Sequence, residues 1–358
     1  MATWVSAESR CVIASLFNIH PAPTRATAVH DGSRLTRLPI LLLNLHTQCN
    51  CRCVMCDIWQ RKIGQTLSVA DLERHRESLR ILGVRQVVLT GGEPLLNREM
   101  GAICDLLHGL GIRITLLTTG LLLNAKAALV TSSIDEIILS LDGPPQVHDA
   151  IRRIPRAFET IARGVHAARE RRPDLPIAAR TTVQKQNHNQ LRATVSAAHS
   201  LRLDSISFLA ADVWSTAFNH QEPLAPDRRD GIALNPAELI ALEAEIDALI
   251  TTHQADIQTR FIVESEAKLR RIAARFRERL EGTHPSSPVC NAPWVSAVME
   301  TDGALRPCFF HPAYTSPAHL TLAEALNTPF AMAFRDQLDV PSNPICQRCV
   351  CSLNYQGS

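Results

Sequence analysis

The sequence predicts an α/β protein, a parallel sheet built from about six strand–loop–helix units and followed by a small cysteine-bearing segment. Three observations predict it. From residue 40 onward, short apolar runs alternate with segments of helical periodicity. The runs are apolar almost throughout, as in strands covered by helices on both faces, rather than alternating as in half-exposed strands. Glycines, cysteines and polar residues gather directly after the runs, where such sheets present their ligand-binding loops.

Bulk properties set the bounds. A chain of 358 residues accommodates one large domain and a smaller one. Lys+Arg 37 against Asp+Glu 35 leaves a net charge of +2, with no electrostatic footprint for nucleic acid or an anionic membrane. Arginine clusters at 152–153 and 169–172 therefore read as solvated or ligand-facing. No apolar run reaches membrane-span length, and the patch at 11–17 is too short, and lacks the cleavage pattern, for a signal peptide. A cytoplasmic protein is expected. Its eleven cysteines then favour metal or redox use over disulfides; apart from Cys11 and Cys104, they lie at 49–56 or beyond 289.

In chain order, residues 1–38 lack periodicity and read as an N-terminal extension. Residues 39–215 carry the repeating units. Strands are expected over 40–45, 85–89, 113–117, 136–141, 177–183 and 205–209, and helices over 98–110, 125–130, 157–171 and 189–201. Another helix is capped at Ser68 and stopped by Gly83, and Asn187 reads as the cap of the helix after the fifth strand. Residues 216–288 form a helical connection. A charged loop at 227–230 precedes a helix opened by Asn235-Pro236, and the arginines of a helix over 264–280 read as its solvated face. In the last segment, 289–358, Asp302-Gly303 between strand-like flanks predicts a hairpin, which would bring Cys290 and Cys308 together at its outer ends; a helical stretch over 322–338 follows, broken before Pro329.

The chemistry begins after the first strand, where Cys49, Cys51, Cys53 and Cys56 fall within eight positions. Cys49, Cys53 and Cys56 form a Cys-x3-Cys-x2-Cys triplet. Three thiolates on one loop can hold three irons of a [4Fe-4S] cube, and if Cys51 points away, the fourth iron keeps an open, reactive position. A zinc ribbon would normally use paired Cys-x2-Cys arms, of which only one is present locally.

This spacing resembles the signature of the radical S-adenosylmethionine (radical SAM) superfamily. The resemblance implies that S-adenosylmethionine (SAM) occupies the open iron and is reductively cleaved to methionine and a 5′-deoxyadenosyl radical that abstracts a substrate hydrogen. It also implies a partial (β/α)6 TIM-like barrel, in agreement with the strand count, and an electron donor such as flavodoxin or ferredoxin. Gly91-Gly92-Glu93-Pro94, after the second strand, resembles the family's GGEP motif, whose backbone and acidic side chain meet the SAM amino group. Glycines admit close approach, and a carboxylate suits an ammonium. Thr118-Thr119-Gly120 stands where relatives have Thr-Asn-Gly and so lacks the amide. The segment Ser140-Leu141-Asp142-Gly143 with His148-Asp149-Ala150-Ile151-Arg152 resembles that of members carrying extra clusters, which makes Ser140 and Arg180 the further SAM-binding candidates. His148 reads as a hydrogen-bonding residue rather than a general base.

The late cysteines supply a hairpin pair, Cys290 and Cys308, and one Cys-x2-Cys arm, Cys346 and Cys349. Zinc would satisfy this set equally well. Beside the first motif, however, the Gly303-x4-Cys308 spacing resembles the twitch domain, the shortened form of the SPASM domain. That implies a small C-terminal α+β domain with one auxiliary [4Fe-4S] cluster on Cys290, Cys308, Cys346 and Cys349, with Cys351 the rival for the last position. The expected function is hydrogen abstraction completed as a net oxidation or rearrangement, on a ribosomal peptide or a small alcohol, sugar or lipid-type metabolite. The competing reading is a non-catalytic zinc or iron–sulfur protein that senses metal or redox state.

Overall fold

Six parallel strands carry the fold: β1 (Ile40–His46), β2 (Gln86–Gly91), β3 (Arg113–Thr118), β4 (Glu136–Ser140), β5 (Ile177–Val183) and β6 (Ser205–Ala210). Each pairs in parallel with the next, as expected for strands whose apolar side chains are covered on both faces. The computed structural model describes residues 33–219, 224–283, 289–314 and 319–356; most of the predicted N-terminal extension, with its apolar patch at 11–17, lies outside these. The sheet runs β6-β5-β4-β3-β2-β1-β7-β8 and does not close, which agrees with the predicted partial barrel.

The last two strands are the cysteine-bearing hairpin. β7 (Ser296–Met299) lies parallel to β1, with Ile40 opposite Ser296 and Leu43 opposite Met299, and β8 (Leu305–Arg306) folds back on it. Gly303 makes the turn at φ +82, a conformation that favours glycine. The hairpin thus extends the main sheet, and Ala297, Met299, Leu305 and Leu322 share one apolar core with the strands and helices of residues 35–276.

The helix predicted from Ser68 is two helices, Val69–Glu73 and Arg76–Ile81, the first opened by a Ser68–Asp71 capping box. The break falls at His75 (φ −100, ψ 1), whose buried Nδ1 accepts the Leu322 N–H at 3.0 Å. This contact docks the Leu322–Leu326 helix, which ends before the separate helix Pro329–Gln337 as Pro329 predicts. The charged run at 227–230 belongs to a helical turn, Pro226–Asp230, with proline in its first turn, and not to a loop. Nor does Asn187 cap the helix Leu191–Ser200. Its side chain accepts from the Gln184 N–H and donates to the Asp142 and Thr182 carbonyls, tying together the loops after β4 and β5. On the Glu266–Glu281 helix, Arg270 and Arg277 lie on the expected solvated face, exposed and paired with Asp247 and Glu243, whereas Arg275 and Arg279 are largely covered, Arg279 beside Asp230. Among the described residues, no helix is long and apolar enough to cross a membrane.

Candidate metal and cofactor site

The cysteine loop leaves β1 at the carboxyl end of the sheet, and each later strand-to-helix loop reaches back to hold it. After β2, the Gly92 N–H donates to the His46 carbonyl (2.8 Å) and the Glu93 N–H to the Gln48 carbonyl (2.9 Å). After β3, Thr119 Oγ1 lies 3.0 Å from Asn50 Oδ1. After β4, the Pro145–Arg152 helix ends against the loop, its Ile151 and Arg152 carbonyls accepting the N–H groups of Val54 and Arg52, both at 3.1 Å. After β6, the Phe218 carbonyl accepts the Asp57 N–H at 3.0 Å, and Arg228 grips the Asp57 carboxylate through two nitrogens at 2.7 and 2.8 Å.

The glycine pair has a steric explanation. A Cβ on Gly92 would lie 2.1 Å from the Gln48 carbonyl oxygen, and one on Gly91, at φ +127, would lie 2.5 Å from that of His46. The close approach that these glycines permit is therefore that of the cysteine loop's own backbone, while their other side faces the cavity described below.

Glu93 and Pro94 lie behind that wall. The Glu93 carboxylate is fully buried; Oε1 accepts from Thr118 Oγ1 (2.8 Å) and the Leu95 N–H (3.0 Å), and Oε2 from the Thr119 N–H (2.8 Å) and Oγ1 (2.6 Å). Burial raises its pKa against these four bonds. Thr118 and Thr119 thus satisfy the acidic side chain of the preceding loop. A carboxylate expected to be buried has to find donors, and this was the signal in the sequence that could have paired them.

A cavity of about 400 Å³ opens at this end of the sheet. Cys49, Cys53 and Cys56 line it, as do Gly91, Gly92, Ser140 and Arg180. Ser140 and Arg180 are direct cross-strand neighbours on β4 and β5, and Arg180 Nε donates to Ser207 Oγ at 3.3 Å. Cys51 is buried beside Cys49 and Cys53 and does not line the cavity. Its thiol hydrogen-bonds both neighbours, which raises its own pKa, lowers that of Cys49, and with Arg152 brings Cys53 down to about 6. Burial pushes the Cys56 thiol up to about 12.

Of the two readings of Arg152, solvated or ligand-facing, the second holds, since the residue lines the cavity; its contact with Cys53 was not foreseen. Arg152 is buried, not solvated: one nitrogen lies 3.5 Å from Cys53 Sγ, and another 2.6 Å from the Asp142 carboxylate. His148 stands behind this pair, its Nδ1 accepting the Asp142 N–H at 3.2 Å. Burial lowers its pKa to about 3, so it is a neutral hydrogen-bonding residue.

The C-terminal hairpin supplies the opposite wall. Glu300, Arg306, Phe309, Phe310 and Cys351 line the same cavity. Glu300 accepts from Asn44 on β1 and lies 2.8 Å from Arg306. Cys290, Cys308, Cys349 and Cys351 sit within electrostatic reach of one another, and Cys346 interacts with Cys308 and Cys290. Burial raises the thiols of Cys290, Cys308, Cys346 and Cys349, Cys308 to about 11 and Cys346 to about 12, so binding of a metal would displace their protons. Among the described residues, no three His, Cys, Asp or Glu side chains converge closely enough for one metal ion. The donors gathered here are thiols, the ligand type that both an iron–sulfur cluster and zinc take.

Residues 43–198 match the family model described as Radical SAM superfamily. Among curated proteins, the chain is 28% identical over 176 residues to the pre-heme d1 synthase of Dinoroseobacter shibae, covering 48% of this chain and 42% of that one. It is 25% identical over 174 residues to the Fe-coproporphyrin III synthase of Methanosarcina barkeri, covering 48% and 43%. The match thus spans less than half the length of either relative. Among solved structures, Streptococcus suis SuiB bound to its precursor peptide SuiA superposes with TM-score 0.61 at 15% identity, over 88% of this chain and 71% of SuiB. The protein anSMEcpe with bound AdoMet and the Cp18Cys peptide gives 0.62 at 17%, over 88% and 92%. At such identities the likeness is one of fold.

Proposed function

We propose, on the match of residues 43–198 to the Radical SAM superfamily model, that the chain is a radical SAM enzyme that catalyses a net oxidation or rearrangement initiated by hydrogen abstraction and completed with an auxiliary [4Fe-4S] cluster. When bound, the SAM-binding cluster supplies the electron that cleaves SAM to methionine and the 5′-deoxyadenosyl radical, and the auxiliary cluster takes up the electron left on the substrate. One observation carries the reading: a single cavity is lined on one side by Cys49, Cys53 and Cys56 and on the other by the hairpin residues that flank Cys308.

The chain's own residues hold this arrangement. Cys49, Cys53 and Cys56 are the ligands of the first cluster, with Cys51 behind them leaving one iron for SAM. Gly91 and Gly92 bring the second loop against the cysteine loop and present backbone to SAM, while Glu93 and Pro94 fix that loop from behind. Ser140 and Arg180 contact SAM from the adjoining strands. Cys290, Cys308, Cys346 and Cys349 hold the auxiliary cluster. The aromatic rings of Phe218, Phe309 and Phe310 exclude water from the reacting centre.

The substrate is a peptide or a small alcohol, sugar or lipid-type metabolite. The tetrapyrrole names of the sequence relatives support a small molecule, whereas the peptide-bound neighbours share the fold alone. A flavodoxin or ferredoxin in the cytoplasm serves as reductant. Iron and sulfide counting on the anaerobically reconstituted chain tests the two-cluster architecture: eight irons are expected in the wild type, and about four in both Cys53→Ala and Cys308→Ala. One metal ion at the second site, or no loss of iron in Cys308→Ala, would contradict it.

A further inference from the structure

His311 lies three residues beyond Cys308 and is 3% exposed. Its Nε2 stands 3.3 Å from Cys346 Sγ. The ring is held edge-on to Phe334, with centroids 5.1 Å apart, and its backbone carbonyl accepts from Arg306 Nη1 at 3.2 Å. Arg306 is in turn paired with Glu300 in the cavity, so the position of the imidazole is fixed from the substrate side as well as by the core.

A metal-bound thiolate has only lone pairs to offer, so a ring nitrogen at this distance from it must be the donor. We propose that His311 donates its Nε2–H to the Cys346 sulfur of the auxiliary cluster and raises the reduction potential of that cluster, making it the better electron acceptor. The inference rests on the proposed ligand set. A hydrogen bond to a ligating sulfur stabilises the more negative, reduced cluster, and burial strengthens the effect because water does not compete for the sulfur. The role is one of tuning: His311 does not line the cavity.

The test uses the full chain with Cys49, Cys53 and Cys56 replaced by alanine, so that only the auxiliary cluster remains, followed by anaerobic redox titration with EPR and absorbance. In this background His311→Phe keeps a ring against Phe334 but removes the N–H, and His311→Gln retains a donor. The expected result is an intact cluster in both. At a fixed potential, the reduced-to-oxidised ratio should fall about tenfold in the Phe variant, a shift of ~59 mV for one electron, and much less in the Gln variant. An intact cluster with an unshifted potential in His311→Phe overturns the inference and leaves the cluster assignment standing. Loss of the cluster in both variants would make His311 a ligand rather than a donor, which also overturns it. Absence of iron from the triple-alanine background itself overturns the ligand set and the inference together.

Discussion

Arg152 donates to Cys53 Sγ across 3.5 Å while its guanidinium lies 2.6 Å from the carboxylate of Asp142, which is wholly buried. One cation thus serves the thiol of Cys53, a proposed cluster ligand, and a buried acid together. Replacing Arg152 by methionine leaves the Asp142 charge buried without its partner, a loss of about 3–5 kcal/mol. The double variant Arg152→Met/Asp142→Asn should recover most of it. Anaerobic urea denaturation of the three proteins measures the difference; a single variant within about 1 kcal/mol of the wild type would contradict the account.

Gly92→Ala should be severe for a backbone reason. The new Cβ would meet the Gln48 carbonyl oxygen at 2.1 Å and the Cys49 nitrogen at 2.9 Å, so the cysteine loop itself must move. Iron bound at the first site should drop to a small fraction of wild type, while far-UV circular dichroism changes little. Full iron occupancy in Gly92→Ala would show that the loops do not touch as described.

Glu93→Gln tests the acid behind the wall. Each carboxylate oxygen accepts a backbone N–H, from Leu95 on one side and Thr119 on the other. Whichever way the amide is turned, its NH2 faces one of them, at a cost of about 1–3 kcal/mol. Thermal or chemical denaturation reads the loss, and equal stability would mean that the carboxylate is not clamped from both sides.

Glu136 gives a pH dependence of defined sign. It is buried, accepts from Thr115 Oγ1 at 3.0 Å, and burial raises its pKa from 4.5 to about 7. Because the folded value lies above the unfolded one, its contribution is fully present below pH ~4.5 and is lost as pH rises through ~7. The size is on the order of 3 kcal/mol at most. Wild-type stability should therefore decline relative to Glu136→Gln between these limits when both are denatured at a series of pH values. Parallel profiles would contradict the assignment.

Local features of the fold were legible in the sequence. The fifth strand, Ile177–Val183, and the helix Ala157–Arg171 appear with the expected bounds, because apolar runs and periodicity act within a few residues of themselves. The triplet Cys49, Cys53 and Cys56 faces one cavity for an equally local reason: it follows a buried strand. Contacts between distant residues were not legible. Arg152–Cys53, Arg228–Asp57, His75–Leu322 and Asn44–Glu300 join residues 99, 171, 247 and 256 positions apart, and no periodicity encodes such meetings. The same holds for β7. A hairpin signal predicts the turn at Gly303, but which edge strand the hairpin joins depends on the exposed edge of β1, a property of the assembled sheet.

The central claim, reductive cleavage of SAM at the Cys49, Cys53 and Cys56 site, is tested most directly by quantifying 5′-deoxyadenosine formed from SAM by the anaerobically reconstituted, reduced chain, with Cys53→Ala assayed alongside. The account predicts 5′-deoxyadenosine from the wild type and none above background from the variant, although both retain the auxiliary cluster. Formation of equal amounts by both proteins, or none by a wild type confirmed to carry its iron and sulfide, would contradict it.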